Sequence, residues 1–87
     1  MAIEEAVAVV PKVSEEDLAL IRLLCLPYKI IGEKFGVPAA TVNMRVTRLI
    51  IRFGVENRMA IVVKALKFGL VTVDQLVYRN YGRTNLS

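Results

Sequence analysis

Residues 39–53 form the segment that most constrains the fold, because apolar residues recur there at the spacing of one helical face. At about 100° per residue, four of them fall within one narrow arc: Val42, Val46, Leu49 and Phe53. Pro38 precedes the segment and Gly54 follows it, which is typical of a first helical turn and of a left-handed C-cap. The pattern predicts a helix over 39–53 whose arc is buried.

Two shorter helices are predicted before this one. Ser14 and Asp17 in "VSEEDL" have the spacing of a capping box, so we expect a first helix from Glu15 to Leu26, stopped by Pro27. A second helix over "YKIIGEKF" ends at a glycine, and the "GVP" that follows joins two short helices as in a helix-turn-helix. The side chains expected inside are Leu20, Leu23, Leu24 and Cys25 in the first helix, with Ile30 or Ile31 and Phe35 in the second.

A fourth helix is predicted over 58–68, with Asn57 as its N-cap and Gly69 at its end. Its polar side holds only three residues: Ala60, Lys64 and Lys67. A helix lying on one small core needs an apolar stripe of roughly 100°, so the surplus predicts a second contact surface. A second copy of the same helix is the simplest partner, whereas the alternative is that the N-terminal arm or the tail covers it. The expected homodimer interface is Met59, Val62, Val63 and Leu66.

The predicted fold class is all-α, a small helix-turn-helix bundle of four helices. Thr72 and Gln75 repeat the capping-box spacing and predict a short fifth helix over Val73 to Tyr78. We expect residues 1–12 to form an N-terminal arm, residues 13–71 the helical domain, and residues 72–87 the short helix and a polar tail.

The charges divide the chain unevenly. Residues 1–17 hold five acids and one base, whereas residues 18–87 hold three acids and eleven bases. The folded body is therefore basic, which suits a polyanionic partner such as nucleic acid. A basic surface that serves only solubility remains the alternative, since charge alone does not separate the two.

The side of the 39–53 helix opposite the buried arc has an unusual composition. Its centre and flanks carry Thr41, Asn43, Met44, Arg45, Thr47, Arg48, Ile51 and Arg52. No Asp or Glu lies among them, although a helix made only for solubility usually mixes charge signs. Amide, hydroxyl, methyl and guanidinium groups are those that contact base edges and phosphates, so this face predicts DNA binding over simple solvation.

Several other classes of protein are disfavoured. The chain has one cysteine, Cys25, and no histidine, so an internal disulfide, a zinc site and a Ser-His or Cys-His pair are not expected. No Gly-rich phosphate loop is present, and we expect neither catalysis nor a cofactor. No apolar run approaches the roughly 18 residues that span a bilayer, and the acidic start "MAIEE" is unlike a signal peptide, so we expect a soluble, cytoplasmic protein without a membrane partner.

Three segments together resemble one known family. "VSEEDLALIRLL", "FGVPAATVNMRVTRLIIRFGVENR" and "AIVVKALKFGLV" are similar to the LuxR/NarL (GerE-like) DNA-binding domain over residues 13–71. The most specific parts are the threonine-valine pair at Thr41, the glycine-valine step at Gly54 and the "NR" at Asn57. "VPAATVNMRVTRL" also resembles the promoter-reading helix-turn-helix of sigma factors, whose pattern lacks the "VENR" step and the fourth helix.

The LuxR/NarL resemblance implies that the third helix enters the major groove and that the fourth forms the dimer contact. It implies that Asn43, Met44 and Thr47 contact bases, and that Thr41 and Arg48 contact phosphates. Together with the other arginines around the helix, the expected phosphate contacts are Thr41, Arg45, Arg48 and Arg52.

Two functions follow as hypotheses. The first is a small stand-alone DNA-binding transcriptional regulator, dimeric on two half-sites about one helical turn apart, with Asn43 pairing adenine and Met44 contacting a thymine methyl group. The second is an interaction protein that binds another regulator or RNA polymerase through its apolar fourth helix and arm. Met44 and Ile51, two apolar groups on the supposed DNA face, favour the second hypothesis.

Overall fold

The computed structural model describes residues 10–78, which form four α-helices and one short 3-10 helix. The helices are α1 (Glu15–Arg22), α2 (Tyr28–Phe35), α3 (Ala39–Phe53) and α4 (Arg58–Lys67), followed by the 3-10 helix Val73–Gln75. No strand occurs in this range. The predicted all-α bundle of four helices is confirmed.

Helix α1 begins as predicted but ends early. Asp17 N–H donates to Ser14 Oγ at 3.0 Å, and Ser14 N–H donates to Asp17 Oδ2 at 3.0 Å, which completes the capping box. The helix ends at Arg22 rather than Leu26, and the chain continues in tight turns. Leu24 and Leu26 are both buried, and residues two apart on a helix face different sides, so the helix has to end for both to enter the core.

The interior of α1 also differs in detail from the prediction. Ile21, which the pattern did not single out, has no exposed surface. Leu23 and Cys25 are only half-buried, so the prediction of a core thiol was wrong. In the turn after Arg22, Leu23 packs against the edge of the core while Leu24 lies inside it.

Helices α2 and α3 form the predicted helix-turn-helix. Gly36 ends α2 in the left-handed region at φ 72°, and Val37 N–H donates back to the Gly32 carbonyl at 2.9 Å. Gly32 lies buried beside this turn, where an added Cβ would overlap the Val37 carbonyl oxygen. The turn therefore needs glycine inside α2 as well as after it.

The core lies between the four helices and contains the predicted arc of α3. Val42, Val46, Leu49 and Phe53 are each at most 2% exposed. Of the two isoleucines in α2, Ile31 is fully buried, whereas Ile30 and Phe35 pack at the edge. The buried hydrophobic residues of the described range are Leu20, Ile21, Leu24, Leu26, Ile31, Val42, Val46, Leu49, Phe53, Ile61, Val62, Ala65 and Val71.

The chain after α4 forms less helix than predicted. Asn57 caps α4 as expected, since Ala60 N–H donates to its Oδ1 at 2.9 Å. Past α4, only one 3-10 turn forms instead of a helix reaching Tyr78. Val77 N–H donates to the Arg22 carbonyl at 2.9 Å, and this bond to the end of α1 holds the segment in an extended conformation. The predicted arm before Val10 and the tail after Tyr78 lie outside the described residues.

Candidate nucleic-acid interface

The outward face of α3 is accessible to solvent. Its exposed side chains are those that the sequence placed there: Asn43, Met44, Arg45, Thr47, Arg48, Ile51 and Arg52, with Thr41 half-buried. The helix contains three arginines and no acidic residue. Burial of the opposite arc fixes this orientation, because rotating α3 would expose Leu49 and Phe53.

Asn43 and Thr47 lie one turn apart on this face and are joined by a hydrogen bond. Thr47 Oγ1 donates to the Asn43 backbone carbonyl at 2.9 Å. The bond uses the backbone of Asn43, so its exposed side-chain amide keeps both a donor and an acceptor for a ligand. That pair of groups matches the N6 and N7 edge of adenine in the major groove.

Arg45 and Arg48 border a groove of about 270 Å³ between α3 and α1. The α1 side of the groove carries Glu16 and Asp17. Guanidinium groups therefore face carboxylates across it, and these carboxylates reduce the attraction of an anion to the groove. Neither Arg45 nor Arg48 forms an ion pair with another described residue.

Arg52 is not a free cation, because it forms an ion pair with a carboxylate of α1. Its Nη1 lies 3.0 Å from Asp17 Oδ2 and 3.4 Å from the Lys12 carbonyl oxygen. The Arg52 side chain is 45% exposed and that of Asp17 is 25% exposed. The sequence prediction was made from α3 alone, whereas the carboxylate that neutralises Arg52 comes from α1.

Two basic residues of α4 hold the helix-turn-helix in place, and the sequence pattern did not predict either contact. Arg58 Nη1 donates to the Leu26 carbonyl at 3.1 Å, and its guanidinium carbon lies 4.7 Å from the centre of the Tyr28 ring. Lys64 Nζ donates to the Phe53 carbonyl at 2.7 Å, at the C-terminal end of α3. Lys64 is half-buried, so the predicted polar side of α4 is only partly exposed to solvent.

The outer side of α4 exposes part of the predicted dimer interface. Met59 is 44% exposed and Val63 is 55% exposed. Val62 is only 3% exposed and belongs to the core of the monomer, so its assignment to the interface was wrong. Leu66 is half-buried against that core. Val62 points inward because it shares a face with Ala65, which is also buried.

Other kinds of site are scarce in the described part of the chain. Residues 10–78 contain no cluster of three or more metal-ligating side chains of the His, Cys, Asp and Glu types. None of the four helices combines the length and the hydropathy needed to cross a bilayer.

Comparisons of the chain with protein-family models, with curated proteins and with solved structures found no match.

Proposed function

We propose that this chain binds double-stranded DNA through the exposed face of α3 and acts as a transcriptional regulator. The observation that carries the proposal is the composition of that face. Arg45, Arg48, Asn43 and Thr47 are exposed together on a helix without a carboxylate. This combination suits duplex DNA, since cations bind its phosphates and amide or hydroxyl groups contact its base edges.

The helix-turn-helix geometry supports the division of roles along α3. The major groove is about 12 Å wide and admits one α-helix, and the N-terminal residues of a recognition helix contact the base edges. Asn43, Met44 and Thr47 lie in the first nine residues of α3, and we assign them to bases. Arg45 and Arg48 lie beside them, on the side of α3 that borders the groove with α1, and bind phosphates, with Thr41 at the start of the helix.

Arg52 has a secondary role in this proposal. Its guanidinium group keeps donors besides Nη1, but the Asp17 carboxylate partly neutralises its charge and weakens its attraction for phosphate. Such exposed pairs contribute only about 0–1 kcal/mol, so a nearby phosphate can compete with Asp17.

Two copies of the chain associate through α4 in this proposal. Met59 and Val63 form an apolar strip on its outer side, and two-fold dimers dominate soluble oligomers. The resemblance of residues 13–71 to the LuxR/NarL domain supports the same pairing. A dimer would bind two half-sites about one helical turn apart.

A second candidate function is binding to another regulator or to RNA polymerase. Ile51 is 74% exposed on the same face of α3, and a large apolar group exposed there is better explained by a protein partner than by phosphates. This alternative predicts that the chain forms no complex with duplex DNA.

Selection of bound sequences from a random duplex pool tests the proposal. Non-specific complexes have dissociation constants of about 10⁻⁴–10⁻⁶ M at physiological salt, so selection at nanomolar protein isolates specific sites. We expect a palindromic consensus and co-elution of protein and duplex in gel filtration. A pool without enrichment, together with separate elution in dilute buffer, would favour the protein-partner alternative.

A further inference from the structure

The hydroxyl group of Thr47 is already engaged within α3. A threonine hydroxyl carries one proton, and that of Thr47 is donated to the Asn43 carbonyl at 2.9 Å. Thr47 therefore has no donor left for a base unless this bond breaks. Its remaining groups are the Cγ2 methyl and the lone pairs of Oγ1.

Thr47 also lies on an apolar strip of the exposed face. Met44 precedes it by three positions and Ile51 follows it by four, so the three side chains share one side of α3. Met44 is 49% exposed, and Thr47 is exposed as well. The centre of the face therefore combines these three side chains with Arg48, which lies four positions after Met44, while Arg45 lies to one side.

The major groove presents one apolar group to such a strip, the C5-methyl group of thymine. A hydrogen-bond acceptor on guanine or thymine would instead need a donor that Thr47 lacks. We propose, on the basis of the DNA-binding function above, that Thr47 determines specificity through its methyl group and selects thymine. Met44 lies beside it and contacts the neighbouring methyl group. Ile51 is too far along α3 to meet a base, because the N-terminal part of the recognition helix enters the groove.

Deoxyuridine substitution tests this assignment directly. Deoxyuridine pairs as thymidine does but lacks the methyl group, so each thymine of the selected duplex is replaced in turn and the affinity is measured. Burial of one methyl group corresponds to about 0.8 kcal/mol, or about a fourfold change in affinity. We expect a loss of this size at one or two positions and no change at the others.

Two variants of Thr47 form the matched comparison. Thr47→Val keeps the methyl group and the shape and removes the hydroxyl, so it retains both the affinity and the sensitivity to deoxyuridine. Thr47→Ser keeps the hydroxyl and removes the methyl group, so it loses the sensitivity at one position. Thr47 is exposed, and circular dichroism checks that both variants remain folded.

The possible results separate this proposal from the one on which it depends. Wild-type protein that binds its selected duplex but tolerates deoxyuridine at every position overturns the role of Thr47 and leaves DNA binding intact. Loss of binding in Thr47→Val with retention in Thr47→Ser overturns it as well, because the hydroxyl would then be the determinant. If the wild type binds no duplex even in dilute buffer, both proposals fail.

Discussion

Asp17 Oδ2 in α1 accepts hydrogen bonds from two parts of the molecule, the Ser14 backbone N–H and Arg52 Nη1, each at 3.0 Å. One carboxylate thus caps the N-terminus of α1 and binds the C-terminal end of α3. It also partly neutralises the arginine nearest the end of the proposed DNA-binding face. The net charge of the exposed face of α3 is therefore set by this contact as well as by α3 itself.

Replacing Asp17 should therefore increase the affinity of the protein for DNA of any sequence. Asp17→Asn keeps an acceptor for Ser14 but removes the charge, which frees Arg52 for one additional phosphate. Each phosphate contact adds about 0.9 to the slope of log K against log salt concentration, so we expect a steeper slope in fluorescence anisotropy. Glu16→Gln is the matched control, because Glu16 borders the same groove without pairing with Arg52. An equal change in both variants would point to net charge alone.

Removal of Arg48 should weaken binding without changing sequence preference. Arg48→Ala eliminates one proposed phosphate contact, which reduces the salt-dependence slope by about 0.9 on specific and random duplexes alike. Lys67→Ala removes the same charge from α4 and serves as the control. Titrations of both duplex types over a salt series measure the effect. Identical slopes for the two variants would contradict a direct contact at Arg48.

Asn43 should contribute to discrimination between base pairs rather than to the affinity for DNA of any sequence. Its exposed amide is proposed to pair with one adenine, so Asn43→Ala should lose about 1–3 kcal/mol on the selected duplex. Binding to a random duplex should change little. Competition between the two duplexes provides the measurement, and a uniform loss on both would remove Asn43 from the base-contacting set.

The neighbouring valines of α4 separate folding from dimerisation. Val62 is in the core, so Val62→Ala should reduce the free energy of unfolding by about 2 kcal/mol through lost burial and cavity formation. Val63 is exposed, so Val63→Glu should leave urea unfolding of the monomer nearly unchanged and dissociate the proposed dimer. Sedimentation measures the mass of each variant. Wild-type protein that is monomeric at all concentrations would exclude the α4 interface.

Gly32 should be intolerant of alanine although it lies within a helix. Gly→Ala in a helix interior normally adds about 1 kcal/mol of stability. Here the added Cβ overlaps the Val37 carbonyl oxygen, and such overpacking typically reduces stability by about 1–3 kcal/mol. Urea unfolding measures whether Gly32→Ala raises or lowers the free energy of unfolding. Glu33→Ala, at the exposed next position, is the control. A stabilised Gly32→Ala variant would mean that the turn after α2 shifts to accommodate the added Cβ.

Local patterns in the sequence determined where the four α-helices begin and how α3 is oriented. The caps at Ser14 and Asn57, the left-handed Gly36 and the buried arc of α3 depend on residues within a few positions of one another. Helical spacing carries this information directly. The outward face of α3 was therefore predicted correctly as an exposed surface, whereas its function remains a proposal.

Tertiary contacts decided which of these side chains remain available to a ligand. Asp17 and Arg52 are 35 positions apart in the chain, and no helical period relates them. Likewise, Val62 lies in the core and α1 ends at Arg22 because packing of four helices, rather than the pattern of any one of them, determines what is buried. Sequence periodicity fixes the faces of a helix, and only the assembled fold determines what each face meets.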